Sequence, residues 1–167
     1  MSAQQGFARS LFVPLLFSLL GANPAAAEVV GTVTKVESQA QVSGATAGVG
    51  TAVQMNNVLT TGAKSRLQVT FRDNSTLTLG ENARVVVNKF VYNPKKSSGE
   101  LALSATRGAF RFTGGKIEQM QSKKVTLNTP GAALAIRGTD FWAGPTNGKY
   151  GVVVLKGHVG VTGKRAR

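Results

Sequence analysis

The most constraining feature of this chain is an alternation of apolar and polar residues with a period of two. Residues 67–72 read Leu-Gln-Val-Thr-Phe-Arg, and residues 76–79 read Thr-Leu-Thr-Leu. Such alternation is typical of a β-strand with one buried and one exposed face. The Asp-Asn-Ser between the two runs has turn chemistry, because Asn tolerates positive φ and short polar side chains bond to nearby backbone. Together these segments predict a β-hairpin.

The same pattern recurs along most of the chain, and it predicts about ten short strands at the roughly 8–12-residue spacing of all-β domains. No apolar stripe supports a long helix, although residues 116–124 have room for one helical turn. The sequence therefore predicts an all-β domain of short strands, wound either as a β-roll or solenoid or as a sandwich, and periodicity does not separate these. The further strand-like runs lie at residues 31–36, 84–92, 101–103, 107–112, 125–129, 134–142 and 150–161.

The first 27 residues are predicted to be a secretory signal peptide rather than part of the fold. Arg9 supplies a positive amino-terminal region, an apolar run follows at residues 11–20, and three Ala at residues 25–27 offer a cleavage site. The apolar run is too short for a membrane span, which needs about 20 residues, so we do not expect an integral membrane protein. We expect a periplasmic or secreted protein with a β-domain at residues 28–162 and a basic tail at residues 163–167.

Few side chains in this sequence are suited to catalysis. The absence of Cys and the presence of a single His, His158, exclude disulfides, thiolate chemistry and a multi-His metal site. Asp73 and Glu81 flank the predicted hairpin, where turn and cap roles explain them better than paired-carboxylate catalysis. We therefore predict a protein that is not an enzyme and uses no cofactor and no metal.

The charge of the chain is strongly unbalanced. It has 20 Lys and Arg against 7 Asp and Glu, and removal of the leader with Arg9 would leave 19 basic residues and a net charge of +12. A small domain with this charge attracts polyanions in a salt-dependent way. Phosphate- and carboxylate-bearing polymers and lipids of the cell envelope are the expected partners. Nucleic acid is disfavoured, because the leader directs the chain out of the cytoplasm. The alternative is that the charge serves solubility alone.

Six residues are candidates for binding. Arg137, in the segment Arg-Gly-Thr, has either a structural role around the bend that Gly138 permits or an anion-binding role, and the structural role is favoured. The Phe-Trp pair at residues 141–142 points to opposite faces of a strand, so one ring is expected in the core. The other either packs against the core or the sheet edge, which is the favoured role, or stacks on a sugar or peptide. The full candidate set is Arg66, Arg72, Arg107, Arg111, Arg137 and Trp142.

An ordered set of motifs resembles the FecR-type periplasmic domain. The most diagnostic is Arg-Gly-Thr-Asp-Phe at residues 137–141. Others are Thr-Gly-Ala-Lys-Ser-Arg-Leu at 61–67, Asp-Asn-Ser-Thr-Leu at 73–77 with Asn where the family has Gly, and Leu-Lys-Gly-His-Val at 155–159. The resemblance extends over nearly all of residues 29–162. It implies an all-β domain outside the cytoplasmic membrane.

Departures from the sensor-type members of that family limit what the resemblance implies for function. Those members carry an anti-sigma segment and a transmembrane helix where this chain has its predicted leader, so we do not expect iron-signal transduction to carry over. The first functional hypothesis is an exported binding or scaffold domain with a basic face for an anionic envelope partner. The second is an accessory signalling module that docks a membrane sensor or another envelope protein by strand addition at an open sheet edge.

Overall fold

The computed structural model describes residues 27–163, and it is 67% strand and 5% helix, which confirms the predicted all-β class. The predicted leader as far as residue 26 and the tail from residue 164 lie outside the described residues. Neither of the two short 3₁₀ helices in the described range, Pro94–Lys96 and Lys116–Gln119, is long and apolar enough to cross a membrane. The strands are β1 (Val29–Glu37), β2 (Ala40–Val42), β3 (Ala45–Thr46), β4 (Ala52–Gln54), β5 (Val58–Thr61), β6 (Arg66–Phe71), β7 (Thr76–Leu79), β8 (Arg84–Asn93), β9 (Ser98–Arg107), β10 (Phe110–Thr113), β11 (Ser122–Asn128), β12 (Ala132–Thr146) and β13 (Lys149–Gly163).

Strands β6 and β7 form the predicted hairpin. Leu67 pairs with Leu79, and every second residue of both strands is buried, as the alternation requires. Asn74 in the turn has φ +65°, and Asp73 Oδ1 accepts hydrogen bonds from the backbone N–H and the hydroxyl of Ser75 at 3.1 and 2.6 Å. The turn chemistry read from the sequence therefore closes this hairpin.

All thirteen strands belong to one curled sheet with two halves that meet on β12. We call β3-β2-β5-β8-β9-β11 the first half-sheet and β10-β7-β6-β1-β4 the second half-sheet. Strand β12 pairs with β11 in its first part and with β10 in its last part, while β13 pairs along its other edge. The pairing is antiparallel except between β9 and β11 within the described range. The single curled sheet has the form of a half-barrel, and its largely antiparallel pairing differs from a stack of parallel solenoid turns.

Two glycines allow β12 to pass from one half-sheet to the other. Gly138 has φ +60° and Gly157 of β13 has φ +88°, a conformation that other residues adopt only with strain. A Cβ atom on Gly157 would overlap the carbonyl oxygen of Gly138, so the two bends are in direct contact. The register of β12 and β13 shifts at this point, as expected of a bulge that bends a strand pair.

The core lies between the two half-sheets. Phe71 of β6 and Phe90 of β8 stack across it with ring centroids 5.7 Å apart. Phe141 of β12 is fully buried and lies against Phe110 and Phe112 of β10 with centroids 6.0 Å from each. One continuous apolar cluster therefore joins both halves, which leaves their outer faces for polar and basic side chains.

Candidate functional site

The six candidate residues do not form one continuous face. Arg72 follows β6 and forms an ion pair with Glu28, whereas Arg107 ends β9 beside a separate depression near β2 and β5. Arg137 lines a groove on the outer face of β11, β12 and β13. The other three, which are Arg66, Arg111 and Trp142, line one cleft over β6, β10 and β12.

The cleft that contains Arg66, Arg111 and Trp142 has a volume of about 270 Å³. Trp142 is half-buried, and its indole extends over Gly144, where a Cβ atom would lie 2.7 Å from Trp142 Cζ2. Phe141 is in the core, so the two neighbouring rings divide between faces as predicted. The ring lies along the sheet because residue 144 has no side chain.

The guanidinium of Arg111 in this cleft is already paired. It donates two hydrogen bonds to Asp140, at 2.8 Å from Nε and 2.5 Å from the terminal nitrogen. These hydrogen bonds and the charge of Asp140 raise the pKa of Arg111, and the same contacts with Arg111 lower the pKa of Asp140. The acidic residue after the Arg-Gly-Thr segment therefore serves Arg111 of β10 rather than Arg137.

A second depression, which we call the basic groove, lies on the outer face where β11, β12 and β13 run side by side. It has a volume of about 520 Å³. Its charged and polar lining comes from all three strands and from the segment that leads into β11. The lining residues are Gln121, Lys123, Lys124, Val125, Ala135, Ile136, Arg137, His158 and Gly160.

The register of the three strands explains why these side chains converge. Arg137 lies directly opposite His158, and Ala135 lies opposite Gly160 on the same face. Lys124 is carried by β11, on the other side of β12. Because residues 135 and 160 have almost no side chain, the sheet surface between the basic groups is open, and this opening is the groove.

The charges of the basic groove are only partly compensated. Lys124 lies 3.8 Å from Glu100, but this carboxylate also contacts Lys89 at 2.6 Å. The hydrogen bond from Lys89 is the main reason that the pKa of Glu100 is lowered. Lys123 donates to the carbonyl oxygen of Glu118, and Arg137 has no carboxylate within ion-pair distance among residues 27–163.

A buried carboxyl lies next to the groove. Glu118 is 8% exposed; its Oε2 accepts the backbone N–H of Thr139, and its Oε1 has no hydrogen-bond partner in the described part of the chain. Burial raises the pKa of Glu118, while the hydrogen bond from Thr139 opposes the shift and the nearby Asp73 adds to it. Asp73 is 1% exposed and accepts hydrogen bonds within its own turn and from Ile117. These two carboxyls hold the Lys116–Gln119 helix against the sheet.

Sequence reasoning identified Arg137 but did not select its neighbours in the groove. Lys123 and Lys124 are visible as a basic pair, and His158 follows a glycine that bends its strand. The missing information was the order β11-β12-β13, which no local pattern contains. Within the Arg-Gly-Thr segment, the hydroxyl of Thr139 accepts from Arg137 N–H and donates to His158 O.

Comparison with known proteins gives one family and one structural neighbour. The family model described as FecR protein matches residues 57–160, which is more than half of the chain. A solved structure from Parabacteroides distasonis, described as a candidate anti-sigma factor, is similar at 15% identity with a TM-score of 0.48. The similarity covers 65% of this chain and 48% of that one, so this chain spans about half of its length. Comparison with curated proteins finds no match.

Proposed function

This chain belongs to the FecR protein family, and from that membership we propose that it is a non-enzymatic binding module of the cell envelope whose basic groove holds an anionic partner. The observation that carries the proposal is the convergence of Lys124, Arg137 and His158 on one groove from three adjacent strands. The partner is a polymer or lipid that carries phosphate or carboxylate groups. The module is expected to act in the periplasm or outside the cell.

The distribution of acidic residues supports this site. The chain has seven, and each has a hydrogen bond or an ion pair with another part of the molecule. None of them lines the basic groove. A cation without a nearby carboxylate is free to pair with a ligand, and a concave site of one charge sign concentrates the opposite ion.

The shape of the groove distinguishes it from a merely charged surface. The space above Ala135 and Gly160 admits part of a ligand, and the buried Val125 and Ile136 make its base rigid. Arg137 presents a planar guanidinium that suits bidentate contact with a phosphate or carboxylate. The basic groove can therefore recognise a ligand both by its negative charge and by its shape.

The buried carboxyls support a non-enzymatic role. Catalysis by two carboxyl groups requires both in a cleft that the substrate can reach. Asp73 and Glu118 are instead buried and bonded to the backbone of a turn and of β12. Their contacts explain them as structural groups.

The proposal is tested by binding of the leader-free protein to phosphatidylglycerol vesicles, phosphatidylcholine vesicles and purified peptidoglycan over a salt series. Binding to either anionic material is expected at low salt. It is expected to disappear near 1 M salt, where the screening length falls to about 3 Å. Preference for vesicles indicates a phosphate partner, and preference for peptidoglycan indicates a carboxylate-bearing partner.

Two pairs of variants locate the site. Lys124→Gln with Arg137→Gln removes two charges from the basic groove, whereas Lys35→Gln with Arg66→Gln removes two charges from the second half-sheet. At about 1 kcal/mol per basic residue near an anionic surface, the first pair is expected to weaken vesicle binding about 30-fold. Equal loss in both pairs would mean that net charge alone drives binding and would overturn the assignment of the groove.

A substitution that changes no charge distinguishes binding within the groove from general attraction between the charged protein and an anionic surface. Gly160→Val places a side chain where only ordinary contacts with Ala135 lie nearby, so it fills the groove without strain. Gly163→Val, at the end of the same strand, is the control, because a Cβ atom there meets nothing within 4 Å among the residues that the structure describes. Weaker binding in the Gly160 variant alone is expected, and unchanged binding in both would show that no ligand enters the groove.

A further inference from the structure

Strand β13 has an unusually long open edge. It spans fifteen residues, Lys149–Gly163, and within residues 27–163 it pairs only with β12. No other strand in the described range covers its second edge. An edge of this length presents a row of free backbone N–H and C=O groups, which natural proteins usually shorten, cover or protect with charges and proline.

The side chains of β13 make this edge apolar on both faces. Val154 lies opposite the fully buried Phe141, and Val161 lies opposite the fully buried Leu134, so both point to the core side of the sheet. They are nevertheless 43% and 60% exposed. The apolar core side of the sheet therefore extends onto β13, where it is exposed to solvent.

The outer face of β13 is apolar over the same stretch. Val153 lies opposite Trp142 and is 52% exposed, and Leu155, which has no register partner on β12 because the pairing shifts there, is 57% exposed. Residues 152–155 are Val-Val-Val-Leu, so no polar residue interrupts the run. A strand added beside β13 would form backbone hydrogen bonds with the open edge, and its side chains would contact apolar side chains on both faces of β13.

The charges of β13 indicate what kind of strand fits. Its ionisable side chains are Lys149, Tyr150, Lys156 and His158, with no carboxylate in the strand. Lys156 lies opposite Asp140, but that carboxylate is bonded to Arg111. A strand that carries acidic residues among apolar ones would therefore meet complementary charges along this edge.

We propose that β13 receives an extended acidic and apolar segment of another protein as an additional strand of the sheet. The apolar residues of the segment cover Val154 and Val161 on the core side of the sheet. Its acidic residues lie near Lys156 and His158. This site is distinct from the basic groove in its main attraction, because backbone hydrogen bonds and apolar contact respond much less to salt than surface charges do.

A second copy of this chain is a poorer occupant of the same edge. Self-pairing of two β13 strands would bring together two sets of Lys and His without a carboxylate between them. Each copy also carries a large positive charge. Like charges placed opposite each other across strands are destabilising.

The test uses synthetic peptides of about ten residues, the upper length of a common strand. The first alternates valine and glutamate, the second alternates valine and lysine, and the third is the first peptide with N-methyl groups on alternate backbone nitrogens. The expected result is that the leader-free protein binds the first peptide, and that only this peptide slows hydrogen exchange of the β13 backbone amides. The N-methylated peptide keeps every side chain and charge but lacks half of its strand donors.

Variants show whether the binding is at β13. Leu155→Glu introduces a negative charge at the open edge beside the acidic peptide and is expected to weaken its binding about tenfold or more. Val49→Glu is the control, because Val49 is 73% exposed and lies outside any strand. Both positions are on the surface, so the fold is expected to tolerate both changes.

Three results would overturn the proposal. One is binding of the N-methylated peptide as tight as that of its parent, which would mean attraction by charge alone. Another is no binding of any peptide at millimolar concentration. The third is a dimer in sedimentation equilibrium that Leu155→Glu dissociates, which would assign the edge to a second copy. Loss of vesicle binding in the basic-groove variants with peptide binding intact would separate this site from the proposed function.

Discussion

Thr139 donates its backbone N–H to Glu118 Oε2 at 2.8 Å, and this bond joins β12 to the short helix that follows β10. The carboxyl of Glu118 lies so close to Gly114 that a Cβ atom there would overlap it. Its other oxygen, Oε1, is buried without a hydrogen-bond partner among residues 27–163. A neutral carboxyl suits this place better than a charged one, which gives the contact a pH dependence.

Glu118→Gln is expected to change how stability depends on pH. Burial raises the pKa of Glu118 in the folded protein above its ordinary value of 4.5, so the folded state holds this proton more tightly than the unfolded state. The stabilisation from that difference is complete below pH 4.5 and is lost as pH rises through the raised pKa. The variant cannot ionise, so it should gain stability relative to the natural protein as pH rises, by about 1.4 kcal/mol for each unit of pKa difference. Urea unfolding over a pH series measures this change.

Asp140→Asn is a control for which the pH dependence of stability is expected to change in the opposite direction. The hydrogen bonds from Arg111 lower the pKa of Asp140, so its contribution is present above its ordinary value of 3.8 and is lost as pH falls through the lowered pKa. The variant should therefore lose stability relative to the natural protein at neutral pH and approach it in acid. If both variants drift in the same direction, the two carboxyls do not have the environments described here.

Gly157→Ala is expected to destabilise the crossing of β12 and β13 more than its backbone angle alone explains. Gly157 and Gly50 have nearly the same φ, +88° and +90°. A Cβ on Gly157 overlaps Gly138 O, whereas one on Gly50 meets nothing within 4 Å in the described part of the chain. Gly50→Ala should cost about 1–2 kcal/mol, the strain of a left-handed backbone. Gly157→Ala should cost about 1–3 kcal/mol more, because the strands must separate. Thermal or urea unfolding compares them, and equal losses would argue against the contact.

The stacked rings of Phe71 and Phe90 are expected to couple the two half-sheets. Phe71→Ala should cost about 3–5 kcal/mol, since this buried ring leaves a cavity. A double-mutant cycle with Phe90→Leu should give a coupling energy of about 0.5–1.5 kcal/mol, the range for aromatic pairs. Urea unfolding of the four proteins measures it. Strict additivity would mean that the rings do not interact across the core.

Trp142 reports directly on its cleft, because it is the only Trp in the chain. Arg66 and Arg111 line the same cleft, so at low ionic strength the ratio of iodide to caesium quenching should be higher for the protein than for a free tryptophan derivative. Arg66→Gln should lower this ratio. A ratio equal to that of the free derivative would mean that the cations are not near the indole.

Gly144→Ala tests the position of the indole itself. The new methyl group would lie 2.7 Å from Trp142 Cζ2 and 2.6 Å from Ala109 Cβ, so the ring must lift from the sheet. The emission should then shift to the red as the ring becomes more exposed to water. Gly151→Ala is the control: Gly151 is paired with Gly144 in register and has only ordinary contacts, so emission should not change.

Local chemistry explains which parts of the site were predictable. Arg137 and Trp142 stood out because a glycine bend and an adjacent pair of aromatic rings are visible within a few residues. The pairing of Arg111 with Asp140 was not, because the two lie 29 positions apart and meet only through the register of β10 and β12. Glu118 was also missed, since nothing near it in sequence indicates that Thr139 binds its carboxyl.

The sequence alone determined the all-β class, the hairpin at residues 66–79 and the excess of positive charge, because alternation, turn residues and composition act over short distances. It also contained the motifs that place the chain in its family. The tertiary structure decided that two half-sheets meet on β12, which basic side chains share a groove, and that β13 has an open edge. These features depend on which strands become neighbours, and that choice is made by burial of apolar surface between distant segments rather than by any local pattern.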